Sequence, residues 1–156
     1  MLDKQSTVSL AAGEQLLAAS LVVAGSPQLR SALADDTAEA ADKRSIVDAV
    51  FGAYTDVAKT VLESLVSHRW SSGRDLVAGI EELGIRAVAA SAPKTISIDG
   101  ELFAFASAVS ANAELELALG SKLGAVEGRV SLVEDLLGSK ASKQTVAIVE
   151  ALITRP

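Results

Sequence analysis

The chain has 156 residues, of which 49% are hydrophobic and 3% aromatic, and its formal net charge is −6. That length allows one domain or two small ones, with a core built from Leu, Val, Ile and Ala. The acidic balance argues against a nucleic-acid binder, and the absence of cysteine excludes disulfides, thiolate metal sites and cysteine nucleophiles.

The first fifty residues predict three helices. Ser26 is the predicted N-cap of the second helix, with Pro27 at its first helical position. The spacing of Asp36 and Glu39 is typical of a capping box and predicts the start of the third helix, which ends at Gly52. The apolar faces of these helices comprise Leu10, Leu16, Leu17, Leu21, Ala24, Leu29, Leu33, Ile46, Val47, Val50 and Phe51.

Two further helices are predicted before residue 93. Thr55 or Asp56 caps the fourth helix, whose apolar face is wide enough to contact both a core and a partner. Residues 70–73 separate it from the fifth helix, which ends before Pro93 because the residue before a proline avoids the helical region. The apolar positions are Val57, Val61, Leu62, Leu65 and Val66 in the fourth helix, and Leu76, Val77, Ile80, Leu83, Ala87 and Val88 in the fifth.

Residues 93–99 are the predicted boundary between two helical units. Ile96 and Ile98 alternate with a serine, which predicts a short extended linker, and Asp99 is the predicted cap of the next helix. The two predicted domains are residues 1–92 and residues 93–156.

The second unit repeats the helical pattern of the first. Residues 25–33 return as residues 111–119, and this offset of 86 holds without a gap from Leu16 to Arg69. A duplicated helical unit favours a binding scaffold over an enzyme, and the predicted fold is an all-α bundle of short antiparallel helices. The predicted caps are Asn112 and Ser142, and the apolar residues are Leu102, Phe105, Val109, Leu115, Leu119, Val126, Val130, Val133, Leu137, Val146, Val149, Leu152 and Ile153.

The titratable residues show no pattern typical of catalysis. His68 is the only histidine, and no nucleophile or carboxylate stands at a spacing that would make it a general base. Nucleotide-binding and zinc-protease motifs are absent from the sequence. We therefore predict no catalytic, cofactor-binding or metal-binding residues. Membrane insertion is not expected either, because the longest apolar run, Leu16–Gly25, is well short of the roughly 20 residues that a spanning helix needs.

Several segments resemble the δ subunit of F-type ATP synthases, the family of the oligomycin-sensitivity-conferring protein. Residues 27–35 (PQLRSALAD) and 43–47 (KRSIV) are similar to segments near the start of that subunit. Residues 65–76 (LVSHRWSSGRDL) resemble a helix-break-helix in its longer bacterial members. Residues 101–105 and 128–133 resemble the extra repeat of those members.

This resemblance implies a non-catalytic peripheral-stalk subunit without a cofactor. Such a subunit binds N-terminal helices of α subunits and joins them to the b subunit, at the cytoplasmic face of the cell membrane. The partner helix would lie in an apolar groove bordered by the fourth helix, so Val57, Val61 and Leu65 are the predicted contacts, with plain core packing as the competing interpretation. Against the family pattern, we expect a further helix before Leu10 and a C-terminal region after Pro156 to be missing from this sequence.

An all-helical RNA-binding regulator of the antitermination-factor type is the alternative function. It requires a basic patch, for which Lys43, Arg44, Arg69 and Arg74 are the candidates in the first unit, and these are interleaved with acidic residues. A small helical enzyme is a third possibility, but it lacks a convergent set of titratable groups.

Overall fold

A computed structural model describes residues 9–155; residues 1–8 and 156 lie outside the described part. Within residues 9–155 the regular secondary structure is α-helical without any strand, which confirms the predicted all-α class. The chain divides into two compact units between Ser91 and Ala92. Unit 1 contains α1 (Leu10–Gly25), α2 (Pro27–Ala34), α3 (Ala40–Phe51), α4 (Asp56–Ser67) and α5 (Gly73–Ala90), and unit 2 contains α6 (Ile98–Ser110), α7 (Ala113–Gly120), α8 (Val126–Leu137) and α9 (Lys143–Ile153).

The helices of the two units correspond at the offset of 86 residues found in the sequence. The bounds of α2 and α7 differ by 86 residues at both ends, and so do those of α3 and α8. Core positions correspond as well, because Leu33 and Leu119 are both buried, and so are Val47 and Val133. Among the described residues, α5 has no counterpart in unit 2.

Four of the predicted N-caps are confirmed. Ser26 Oγ accepts a hydrogen bond from Leu29 N at 3.2 Å, and Thr55 Oγ1 accepts one from Ala58 N at 3.3 Å. Each such bond satisfies one of the N–H groups that lack an intrahelical partner at a helix start. The confirmed caps are Ser26, Thr55, Asn112 and Ser142.

The predicted capping box of the third helix is wrong. Glu39 is the N-cap residue of α3, and no side chain makes a capping hydrogen bond there. Asp35 instead closes a local turn, because its Oδ1 accepts from Thr37 N at 2.9 Å and from Thr37 Oγ1 at 2.7 Å. Short polar side chains that bond their own backbone in this way compete with helix formation, so Asp36 stays in the turn and the helix starts later.

The predicted start of the sixth helix is also wrong. Ser97 is the N-cap of α6, and its Oγ accepts from Gly100 N at 3.2 Å. Asp99 therefore lies in the first turn, where its charge is favourable at the positive end of the helix dipole. Ile98 is the first helical residue rather than part of an extended linker.

The core of unit 1 depends on a close approach between α1 and α5. A Cβ atom on Gly13 would lie 2.7 Å from the backbone N of Val88, and one on Gly84 would lie 2.9 Å from Leu17 Cδ2. Glycine at both positions therefore lets the two backbones approach more closely than a side chain would allow. The buried core comprises Leu16, Ala19, Val23, Leu33, Val47, Phe51, Ala58, Val61, Leu62, Leu65, Val66, Leu76, Ile80 and Ala87.

The core of unit 2 is smaller. Leu102 and Val109 are only partly buried, although Leu16 and Val23, which precede them by 86 residues, are completely buried. Less apolar area removed from water means less hydrophobic stabilisation for this unit. The buried members of its core cluster are Leu119, Val133, Leu137 and Val149.

A helix can cross a membrane only if it is long enough and apolar enough to span the bilayer. Within residues 9–155 no single helix is long and apolar enough to cross a bilayer. Two helix pairs meet the length and composition together but are sharply bent, α1 with α2 by 106° and α6 with α7 by 110°.

Candidate functional site: exposed apolar helix surfaces

The three predicted contact residues on α4 differ in exposure. Val61 is completely buried and Leu65 is 7% exposed, and both belong to the core of unit 1. Val57, near the start of the helix, is half-buried. Of the three, Val57 therefore has the most surface to offer a partner, while Val61 and Leu65 fix the position of the helix. Their contact with a partner helix stays a prediction.

The start of α4 is tied to α1 by a polar side chain. Gln15 Oε1 accepts hydrogen bonds from Thr55 N and from Thr55 Oγ1, both at 2.9 Å. The N-cap residue of α4 is thus both a donor to α1 and an acceptor for its own helix. This contact holds the first turn of α4, and Val57 with it, in a defined place against α1.

Two side-chain ring nitrogens donate hydrogen bonds to carbonyl groups near the end of α4. His68 Nδ1 donates to Ser64 O across 2.6 Å, and Trp70 Nε1 donates to Leu65 O at 2.7 Å. The last carbonyl groups of a helix have no intrahelical donor, so these two bonds terminate the helix without a glycine. The single histidine and the single tryptophan are therefore accounted for by local structure.

Unit 1 exposes three large apolar side chains on α1 and α3. Leu21 is 43% exposed, Val22 44% and Val50 46%. Leu21 and Val50 lie on the predicted apolar faces of their helices, and the neighbouring helices leave both of them exposed. Single exposed apolar residues are common on protein surfaces. Val22 and Val50 differ in that the residues 86 positions later both line a groove in unit 2.

Unit 2 has an apolar groove at those corresponding positions. Ala108 and Leu136, which follow Val22 and Val50 by 86 residues, both line a groove of about 560 Å³. Its α6 side includes small residues four positions apart, Gly100, Ala104 and Ala108, which leave room above the helix backbone, and the larger Phe105 and Val109 line it as well. The exposed positions Val22 and Val50 of unit 1 therefore correspond to lining positions of this groove. A groove with this lining suits the apolar side of an amphipathic helix.

Sequence reasoning did not single out these small residues. The available signal was their spacing of four residues, which places Gly100, Ala104 and Ala108 on one side of a helix. Glycine and alanine in a helical segment do not by themselves predict a groove. The groove is defined only by the position of the neighbouring helices.

Glu101 is a carboxylate of unit 2 that accepts several hydrogen bonds. It accepts from Ser142 N at 3.1 Å, from Ser142 Oγ at 2.8 Å and from Thr145 Oγ1 at 2.5 Å. The bond from Thr145 is the main reason that the pKa of Glu101 is lowered from 4.5, helped by Ser142 and opposed by partial desolvation. Glu101 follows Gln15 by 86 residues and likewise ties the first helix of its unit to the start of the fourth.

Two other titratable groups have shifted pKa values with local causes. The hydroxyl of Thr37 lowers the pKa of Asp35 by hydrogen bonding to its carboxylate. Burial raises the pKa of Tyr54, which packs against the ring of Phe51 with centroids 5.2 Å apart. Within the described part of the chain, no group of three or more His, Cys, Asp or Glu side chains could hold a metal ion.

Comparison with known proteins identifies the family, although no family model matches the chain. The ATP synthase subunit delta of Leifsonia xyli subsp. xyli is 48% identical over 151 residues, which cover 97% of this chain and 57% of that subunit. The subunit delta of Acidothermus cellulolyticus is 36% identical over 92% of this chain, and that of Salinispora tropica 31% identical over 96%. The chain belongs to the ATP synthase δ-subunit family. It spans a little more than half the length of these relatives.

The relatives that the chain matches are named as δ subunits of ATP synthase. The resemblance noted in segments 27–35 and 65–76 is thereby confirmed over nearly the whole chain. The RNA-binding alternative needs an exposed basic patch. One of its candidate basic residues, Lys43, is buried in unit 1.

Proposed function

We propose that this chain is a non-catalytic stator component of the peripheral stalk. In this role it binds N-terminal helices of α subunits and is joined to the b subunit, so that it links the catalytic head to the membrane-anchored stalk. It acts at the cytoplasmic face of the cell membrane without being inserted, and it needs no cofactor. The observation that carries the proposal is the 48% identity to a δ subunit over 97% of the chain.

The fold offers supporting physical features. Unit 2 has an apolar groove lined by its first and third helices, and the corresponding positions Val22 and Val50 are exposed in unit 1. Amphipathic helices bind such faces through side chains at positions i, i+3, i+4 and i+7. The polar ties from Gln15 and Glu101 hold the framework helices in place, so less conformational entropy is lost when a partner helix binds.

Binding to an α-subunit helix is tested by calorimetry with a synthetic peptide of the α-subunit N-terminus from the same organism. We expect Val57→Asp to weaken binding at least tenfold, about 1.4 kcal/mol, because a carboxylate would be placed in an apolar contact. Val57 is the informative position, since it is half-buried and its replacement leaves the core of unit 1 intact. Leu65→Asp is unsuitable, because a charge in that buried position would unfold the unit.

Val50→Asp is the comparison variant, because it places the same substitution on α3 instead of α4, at an exposed apolar position (46%) that corresponds to a lining position of the groove in unit 2. If Val57→Asp binds the peptide as tightly as the unchanged chain and Val50→Asp does not bind it, the partner helix contacts α3 near Val50 instead of α4. No heat with the unchanged chain at peptide concentrations up to about 1 mM would contradict α-subunit binding by this chain.

A further inference from the structure

The fifth helix of unit 1 covers one side of α1. A Cβ on Gly13 would be 2.6 Å from Val88 Cγ2, and a Cβ on Gly84 would be 2.9 Å from Leu17 Cδ2. Under this cover Leu17 is only 7% exposed, and Val66 of α4 is completely buried. The covered side of unit 1 thus includes positions from both α1 and α4.

The corresponding side of unit 2 is uncovered. Phe103 follows Leu17 by 86 residues and is 76% exposed, and Leu152 follows Val66 by 86 residues and is 42% exposed. The other helices of the two units correspond, so this difference in burial follows from the missing counterpart of α5 among the described residues. We call the surface formed by Phe103 and Leu152 the open face.

The open face is separate from the groove described above. Phe103 is not part of the groove lining, which α6 forms with Gly100, Glu101, Ala104, Phe105, Ala108 and Val109. Residues 103 and 104 point about 100° apart on a helix with 3.6 residues per turn. A helix seated on the open face would therefore leave the groove accessible.

We infer that the open face of unit 2 is the seat of an amphipathic helix of the α5 type, carried by the same polypeptide after α9 in the longer members of the family. In unit 1 the covering helix follows α4 after only residues 68–72. The matched part is 57% of the Leifsonia xyli subunit, so that relative has residues outside the matched part, and they are more than enough for an 18-residue helix like α5.

The sequence of unit 2 also specifies the chemistry of this helix. Asp99 stands 86 residues after Gly13, at the point where α1 lies against Val88. A carboxylate at this position prevents a covering helix from approaching α6 as closely as α5 approaches α1 at Gly13, and it favours a cationic side chain on that covering helix. The seated helix therefore has an apolar stripe opposite Phe103 and Leu152, and a basic residue where α5 has Val88.

The test adds a copy of residues 68–90 directly after Ile153, which reproduces the connection between α4 and α5 in the register of the repeat. Ala106→Cys provides a probe, because Ala106 is exposed and Ser20, 86 residues earlier, is buried. The chain has no native cysteine, so a maleimide reports only the introduced thiol. A second fusion changes Val88 of the added copy to Arg, to pair with Asp99.

We expect labelling at position 106 to slow at least tenfold in the fusion with arginine, and less in the unmodified copy. Leu117→Cys is the control, since Leu117 on α7 is 73% exposed and its labelling should be the same in all versions. Unchanged labelling at position 106 in both fusions overturns the inference. A dimer of the unfused chain in sedimentation, abolished by Phe103→Ser, also overturns it, because a second copy would then be the occupant.

Discussion

The contact between α1 and α5 leads to a prediction in which the same substitution has different effects at two positions of one helix. Alanine at Gly13 places a Cβ 2.6 Å from Val88 Cγ2 and 2.7 Å from Val88 N. The side chain of Val88 can rotate away, but its backbone nitrogen cannot, so α1 and α5 have to separate. Alanine at Gly25, in the last position of α1, meets nothing within 4 Å.

The magnitude follows from two opposing terms. Replacing glycine by alanine inside a helix stabilises it by about 1 kcal/mol, and overpacking a core contact costs about 1–3 kcal/mol. Because the clash at Gly13 includes backbone, the cost lies in the upper part of that range. We expect a net loss of about 1–2 kcal/mol for Gly13→Ala, which lowers the melting temperature of unit 1 by about 5–10 °C. Gly25→Ala should stay within about 0.5 kcal/mol of the unchanged chain.

Trp70 provides the assay. It is the only tryptophan, and it packs against Gly79 of α5, so its fluorescence reports unit 1 alone. Urea unfolding of both variants, followed by this signal, gives the two free energies of unfolding directly. A Gly13→Ala variant as stable as Gly25→Ala would refute the reasoning, since it would mean that α1 and α5 are not in the close contact described.

Two further predictions concern unit 2 and its relation to unit 1. Folding lowers the pKa of Glu101 from its ordinary value of 4.5, so the stability that its ionised form contributes is complete above about pH 4.5 and is lost as the pH falls through the folded pKa. The protection of α9 against hydrogen exchange should fall over the same pH range. In the Glu101→Gln variant this pH dependence should be absent. Leu17→Ala should cost about 2–4 kcal/mol in urea unfolding because Leu17 is buried against α5, whereas Phe103→Ala should change stability by less than about 1 kcal/mol because its side chain is exposed.

Each of these predictions has a result that would contradict it. Protection of α9 that stays constant down to pH 3, after correction for intrinsic exchange rates, would mean that Glu101 is not an acceptor in the folded state. Equal destabilisation by Leu17→Ala and Phe103→Ala would mean that the two units bury these positions alike, contrary to the exposures of 7% and 76%.

Helix positions could be predicted where a single side chain decides them. Ser26, Thr55 and Ser142 cap their helices as predicted, because a hydroxyl beside an apolar periodic segment has one favourable hydrogen-bond partner. The prediction failed at Asp36, where the neighbouring Asp35 bonds Thr37 and delays the helix. Two polar residues in competition cannot be ranked from the pattern alone.

Burial was harder to predict than helix position. The periodic pattern placed Leu21 and Val50 on apolar faces, yet both are exposed. An apolar stripe marks which side of a helix can be buried, but the neighbouring helices decide how much of it is covered. The same limit applies to the candidate site. Val61 and Leu65 lie on the predicted apolar stripe and are buried in the core of unit 1, while the groove beside Ala104 was not predicted.

The pairing of α1 with α5 also affects how the chain folds as it is synthesised. Gly13 and Val88 are in contact although 75 residues separate them, so the first helix of unit 1 receives its main partner last. Closing so long a loop slows folding relative to contacts between neighbouring helices. The apolar side of α1 around Leu17 therefore remains open on the ribosome until α5 has emerged, and unit 1 cannot complete its core before that point.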